Sequence, residues 1–250
     1  AYLIIAFTCG YISFLIPVYF WQRWAPYLFL IGVILLILVL IPGIGLKING
    51  SRRWLSLAVA NFQPTEIVKL FTVMYASDYV LRKSKQMRTI VKGFFPMLGV
   101  MIVTGWLVFV EPDLGALIVI TSIAMGILFL GGLTLRVIFS LAVLAPIGVW
   151  GAILISPWRQ KRIQGFLEPW APENVFDSGL QTTQAQMAFG NGEFFGVGVG
   201  NSSAKLDFLP EAHTDFILAI IGEEFGLFGV TIVIGLFAFL IVRMFGIAKE

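Results

Sequence analysis

The stretch Gly93–Gly131, GFFPMLGVMIVTGWLVFVEPDLGALIVITSIAMGILFLG, decides the fold class. Two apolar runs, 93–110 and 114–131, flank Glu111-Pro112-Asp113. Each run is close to the roughly 20 residues a helix needs to cross the hydrocarbon core of a bilayer. No water is available there to satisfy backbone N–H and C=O groups, so each run must bond internally, as a helix. Proline suits the tight turn that separates them. The stretch reads as a helical hairpin that crosses a membrane and turns at one face.

Working outward, the same test gives seven spans: Ala1–Phe20, Trp24–Ile41, Pro64–Leu81, Gly93–Val110, Leu114–Gly131, Val137–Ser156 and Asp215–Val242. The expected fold is an all-α polytopic membrane protein, a single transmembrane domain over 1–250. Composition agrees. Of the 250 residues, 58% are hydrophobic and 12% charged, and mean hydropathy is +0.92. Soluble domains carry about 25% charged residues, so this chain cannot cover a globular surface with polar groups. The net charge of +3 does not imply a nucleic-acid partner, because the basic residues cluster at the ends of apolar runs. The single cysteine, Cys9, excludes an intrachain disulfide.

Lys and Arg in short loops set orientation. Arg82, Lys83, Lys85, Arg88 and Lys92 make the strongest cytoplasmic marker, and Arg23, Arg136 and Arg243 fall on the same side when spans alternate. Loops 43–63, 111–113 and 157–214 then face outward, and the termini lie on opposite sides. The chain begins and ends close to spans, so both ends look cut. The long 157–214 loop carries QKRIQGFLEPW (160–170), LQTTQAQMAFGNGEFFGVGVG (180–200) and KLDFLPEAHTD (205–215). Loops of this length are usually functional, and this one is expected to fold over the outer mouth of the bundle.

Ionisable groups within spans are costly and mark candidate functional positions. Glu66 and Lys69, three apart, share a helix face and can pair, either lining a polar cavity or joining helices. Asp78 and Arg82 read as an interfacial i,i+4 pair. Glu223 and Glu224 point about 100° apart on a glycine-rich helix, with Lys69 a candidate partner. At the outer loops, Leu209–Ile217 places Asp215 at the first turn of a span, with Thr214 as a candidate N-cap. The helix dipole favours an ionised carboxylate there. A general base and a helix-stabilising acid both fit. His213, the only histidine, reads as a cap, a proton shuttle or a metal ligand, and no His/Cys cluster accompanies it. Gly190–Gly200 lacks G-K-[ST] and dinucleotide spacing, and reads as a close-packed loop whose amides could meet a diphosphate. Glu111 and Asp113 at an outer turn read as solvated acids or as ligands of a divalent cation.

These motifs together resemble the SEDS (shape, elongation, division and sporulation) family. The residues that carry the resemblance are Asn49-Gly50-Ser51-Arg52-Arg53-Trp54, Phe62-Gln63-Pro64-Thr65-Glu66-Ile67-Val68-Lys69, Glu111–Ala116, Gln181–Gly200 and Lys205–Phe216, in the family's order. The Glu-Pro-Asp-Leu-Gly-Ala and Pro-Glu-Ala-His-Thr-Asp forms look more like the division-type (FtsW-type) members than the elongation type. Asn61 departs from some members, which have a basic residue there. The resemblance implies a peptidoglycan glycosyltransferase that polymerises lipid II at the outer face of the bacterial inner membrane, at the septum. It makes Asp215 the presumed catalytic residue and implies function for Glu66 and Lys69. It implies partnership with a class B penicillin-binding protein transpeptidase and with division regulators. Complete members have ten spans, so one before and two after this stretch are implied. Arg52, Arg53 and Lys205 are candidates to neutralise the lipid diphosphate, alone or with a divalent cation, and Glu211 and His213 to contact substrate. A lipid II flippase using Glu66 and Lys69 as a path, and a non-catalytic scaffold, are the rival readings.

Overall fold

The computed structural model describes residues 2–48, 51–56, 61–87, 89–210 and 214–248. Arg88, Glu211 and His213 lie outside the described residues, as do Asn49, Gly50 and Ala212. The chain divides into two units, Ala1–Ala145 and Pro146–Glu250.

In the first unit, α1 (Tyr2–Leu15) and α2 (Val18–Leu40) are followed by strands β1 (Gly45–Ile48), β2 (Ser51–Ser56) and β3 (Asn61–Phe62), then α3 (Pro64–Lys83), α4 (Phe95–Val110) and α5 (Leu114–Leu130). Helix α6 (Leu135–Leu154) carries the boundary between units. The first predicted break, between Phe20 and Trp24, is misplaced. Pro17 is the N-cap of α2, with extended backbone at φ −64°, ψ 145°, where its fixed φ and missing N–H cost no helical hydrogen bond. The basic segment after α3 continues as a 3₁₀ turn, Ser84–Gln86, and a π turn, Ile90–Phe94, that runs into α4.

Beside the expected helices, the loop between α2 and α3 carries a small sheet. It is three-stranded and antiparallel, ordered β1-β2-β3, with Leu46 opposite Trp54, Lys47 opposite Arg52, and Leu55 opposite Phe62. A bulge falls between Leu46 and Lys47. The strands are short, two to six residues, below what period-2 alternation reveals in a sequence.

Helix α3 runs through the middle of this unit. Its buried stripe, Thr65, Val68, Thr72, Ala76 and Tyr79, follows helical three- and four-residue spacing. Around it Leu36 of α2, Met97, Met101 and Val108 of α4, and Ala116, Ile120, Ala124 and Leu128 of α5 form one buried cluster. Small residues set the spacing: a Cβ on Gly32 would stand 3.0 Å from Val68 Cγ2, so α2 and α3 approach closely.

In the second unit, α7 (Pro157–Leu167) and α8 (Leu180–Gly192) occupy the long predicted loop, followed by a π turn at Ala204–Phe208 and by α9 (Ile217–Ile247). A second buried cluster joins Ala185, Ala188, Ala204, Leu209 and Ala219, with Phe216 and Ile220 packed on it.

All seven predicted spans are helical over most of their length. Among the described residues four helical stretches are long and apolar enough to cross a membrane: Val18–Leu40, Ile90–Val110, Leu135–Leu154 and Ile217–Ile247. Helices α1 and α5 are apolar but shorter, at 14 and 17 residues. The chain is a multi-pass membrane protein.

Candidate functional site

Each unit holds a polar site. The first is built where β2, the start of α3 and the α4–α5 turn meet. Arg53 Nε donates to the Glu111 carbonyl at 2.9 Å, and its Nη2 donates to the Pro112 carbonyl. Gln63, the residue before α3, donates from Nε2 to Asp113 Oδ2 at 3.2 Å. Asp113 Oδ1 caps α5 by accepting from the Ala116 N–H at 3.0 Å. A guanidinium beside the C-terminal carbonyls of α4 meets the negative end of that helix dipole.

Glu111 is not a solvated turn acid. It is 0% exposed, and among the described residues neither carboxyl oxygen has a hydrogen-bond partner. Burial first, then the charge of Asp113, push its pKa up to about 8, against the pull of Arg53. At neutral pH the buried group therefore holds its proton. This does not suit a divalent cation: Glu111 is protonated, and both Asp113 oxygens are engaged by Gln63 and Ala116. Among the described residues no group of three or more His, Cys, Asp or Glu side chains is assembled for a metal.

One turn into α3, Lys69 Nζ and Glu66 Oε2 form the predicted i,i+3 pair at 2.8 Å, Glu66 59% and Lys69 27% exposed. At the other end of α3, Arg82 Nε donates to Asp78 Oδ2 at 2.7 Å, also as expected. Arg52 is half-buried on β2 opposite Lys47.

The second site is organised by α9. The helix is broken at Gly226 (φ 65°, ψ −164°), a conformation open to glycine alone. In a continuous helix Leu227 and Phe228 would donate to the carbonyls of Glu223 and Glu224. Instead those carbonyls accept from Val197 (2.9 Å) and Gly198 (3.1 Å), while Leu227 and Phe228 donate to Glu193 (2.9 Å) and Phe194 (3.1 Å). The glycine-rich segment thus replaces two helical hydrogen bonds with four of its own. Its amides at 197 and 198 are spent on α9 and do not face a diphosphate. A Cβ on Gly196 would lie 2.1 Å from the Glu224 carbonyl oxygen, so only glycine lets the backbones approach.

Just before the break, Glu223 is 1% exposed. Its carboxylate accepts from Ser203 Oγ at 2.8 Å, from the Ala204 N–H at 3.1 Å and from Ser202 Oγ. Glu224 pairs with Lys205 Nζ at 2.7 Å. Lys69 is therefore not needed as the partner, and Lys205 is part of this network rather than an unengaged rim cation. Both acids gather residues 202–205, which lead into the Asp215 segment. Asp215 is exposed. The N-cap of α9 is Phe216, and Asp215 precedes it, so neither the Thr214 cap nor the first-turn placement holds. Phe216 is packed on the buried cluster, which anchors the chain directly after Asp215 and leaves the carboxylate outside.

Sequence reasoning missed the burial of Glu111 and the Ser202–Ser203 ligation of Glu223. Signals existed: an acid closing an apolar helix opposite a loop arginine, and two adjacent hydroxyl residues following a glycine run.

Comparison with known proteins places these sites in context. The family profile described as a cell cycle protein, FtsW/RodA/SpoVE, matches residues 1–250. A probable peptidoglycan glycosyltransferase FtsW of Aromatoleum aromaticum is 49% identical over 100% of this chain and 60% of its own length. The similarly named proteins of Burkholderia thailandensis and Nitrosomonas europaea are 46% and 44% identical, matched over 54% and 64% of theirs. The chain thus spans about 60% of such relatives. Among solved structures, a chain described under the structural coordination of polymerization and crosslinking by a peptidoglycan synthase complex matches 99% of this chain and 68% of itself, with TM-score 0.71 and 24% identity. The rod shape determining protein RodA of Thermus thermophilus, as an aspartate-to-alanine variant, matches 99% of this chain and 62% of itself with TM-score 0.59 and 22% identity. These two likenesses speak for the fold.

Proposed function

The chain belongs to the FtsW/RodA/SpoVE family of cell cycle proteins, and on that premise we propose that it is the core of a peptidoglycan glycosyltransferase that polymerises lipid II into glycan strands at the outer face of the bacterial inner membrane during division. The observation that carries the chemistry is Asp215, an exposed carboxylate held directly ahead of α9 by the packed Phe216. A carboxylate there can take the proton of the acceptor's GlcNAc 4-hydroxyl as that oxygen attacks C1 of the donor's MurNAc. The new O–C1 bond forms with inversion while the C1–O bond to the lipid diphosphate breaks, and the leaving group takes the electron pair. A positioned general base supplies about 10²–10⁴-fold.

The leaving diphosphate needs positive charge. Arg52, which has no ion pair among the described residues, is the favoured candidate. Arg53 and Lys205 shape the loop ends through the bonds they already make. Glu211 and His213, close to Asp215 in sequence, remain candidates for substrate contact. No step runs through a divalent cation. The expected partners are a class B penicillin-binding protein transpeptidase and division regulators at the septum, a reading supported by the synthase-complex likeness.

Polymerisation of labelled lipid II by the purified full-length protein, with and without its transpeptidase, tests the reading. Glycan strands are expected in both arms. Absence of polymer in both, together with transfer of labelled lipid II across liposomes, would favour the flippase. Under that outcome Lys69→Met should impair transfer far more than Asp78→Asn.

A further inference from the structure

A cavity of about 390 Å³ opens between α2 and α3, at the end that carries the 82–92 basic segment. It is lined by Tyr19, Gln22, Arg23, Tyr27, Asp78 and Arg82. This is the opposite end of α3 from Glu66 and Lys69, and the proposed chemistry uses none of these residues. The lining is cationic, with two guanidinium groups set against one carboxylate. Asp78, 6% exposed, engages Arg82 through Nε at 2.7 Å. That contact fixes the guanidinium plane and leaves its terminal donors for another acceptor. Arg23 is exposed and has no ion pair among the described residues.

The cavity also sits at a definable depth. Phe20, Trp24 and Tyr27 form a chain of ring contacts beside it, with centroids 5.9 and 5.7 Å apart, and Trp24, Tyr19 and Tyr27 are 47%, 71% and 61% exposed. Exposed Trp and Tyr collect at the headgroup level of a bilayer. Lys83, Lys85 and Lys92 follow in the adjoining segment. Basic pockets between helices on such a face suit anionic headgroups, and guanidinium forks match phosphate geometry.

We infer that this cavity binds the phosphate of an anionic lipid headgroup from the leaflet on the basic side, with Arg23 and Arg82 as the phosphate donors and Asp78 as the residue that positions Arg82. The site is independent of glycan polymerisation at Asp215.

The test uses the full-length protein in detergent, with lipid retention followed by native mass spectrometry as phosphatidylglycerol, phosphatidylcholine or inorganic phosphate is added. Wild type should retain phosphatidylglycerol in preference to phosphatidylcholine. Arg23→Gln, at an exposed position, should weaken phosphatidylglycerol binding about tenfold by losing a charge-assisted contact, with phosphatidylcholine unchanged. Because Arg82→Gln alone strands the buried Asp78, the second variant is Asp78→Asn/Arg82→Gln, expected to lose the preference as well. Inorganic phosphate at equal concentration should not displace the lipid. Equal retention of both lipids, full retention in Arg23→Gln, or displacement by inorganic phosphate would each overturn the inference. Polymerisation measured on the same preparations should be unaffected by Arg23→Gln.

Discussion

Helices α3 and α9 both carry ionisable residues through apolar surroundings, and they resolve the problem in different ways. In α3 every pair is local: Glu66 with Lys69 and Asp78 with Arg82, each within one turn. In α9 the partners come from about twenty residues upstream: Glu223 takes Ser202, Ser203 and the Ala204 amide, and Glu224 takes Lys205. A local pair needs only a helix. A distant one needs the helix broken at Gly226 and the glycine-rich segment threaded against it. The exposed Glu66–Lys69 pair tolerates losing a member, whereas the second arrangement ties a whole segment to one carboxylate.

The sharpest difference should therefore appear at Glu223. Glu223→Ala leaves the buried Ser202 hydroxyl and Ala204 amide without their acceptor, and unsatisfied buried groups cost about 1–3 kcal/mol each. A loss of about 3 kcal/mol or more is expected in thermal unfolding of the purified protein, with faster proteolysis around 202–208. A change no larger than that of Glu66→Gln would erase the contrast between the two helices.

Next in size is the break itself. At Gly226 a Cβ would meet Phe194 backbone atoms at 2.5 Å in a positive-φ conformation, so Gly226→Ala should cost about 2 kcal/mol. Gly235, in the same helix, has nothing within 4 Å of its Cβ position. Gly235→Ala should stabilise by up to about 1 kcal/mol. Equal responses of the two glycines in paired melts would mean that α9 is continuous.

The effect of Glu111 is set by pH and accumulates across a window. Its folded pKa is raised from 4.5 to about 8, so between those values the folded chain holds a proton that the unfolded chain has released. Stability should be greatest at low pH and fall as pH rises toward 8, by at most about 1.4 kcal/mol per pH unit. It should then level off. Glu111→Gln should flatten that part of a melting-temperature profile from pH 5 to 9. An unchanged slope would place an ionised carboxylate at 111. The smallest effect belongs to α3, where Glu66→Gln removes an exposed ion pair and should cost less than about 1 kcal/mol.

The same comparison explains what could be read in advance. Spans, the α4–α5 turn and both α3 pairs follow from run length and three- or four-residue spacing, which are local properties. The β1–β3 sheet escaped because its strands are too short to show alternation. The role of Gly190–Gly200 escaped because its meaning lies in hydrogen bonds to residues some thirty positions away. Asp215 was legible as an acid close to the start of α9, but its cap geometry was not. Thr214 looks like a cap in sequence, yet packing of Phe216 starts the helix later. Glu111 shows the same limit: nothing in Glu-Pro-Asp states that one acid is sealed and the other caps a helix.

The most direct measurement is lipid II polymerisation by Asp215→Asn at matched amounts of folded, membrane-inserted, partner-bound protein. The substitution keeps size and hydrogen bonding while removing proton acceptance. A stable protein with activity reduced about 10²–10⁴-fold is the expected result. Wild-type polymerisation in the variant would contradict it and leave Asp215 as an acid that merely precedes a helix.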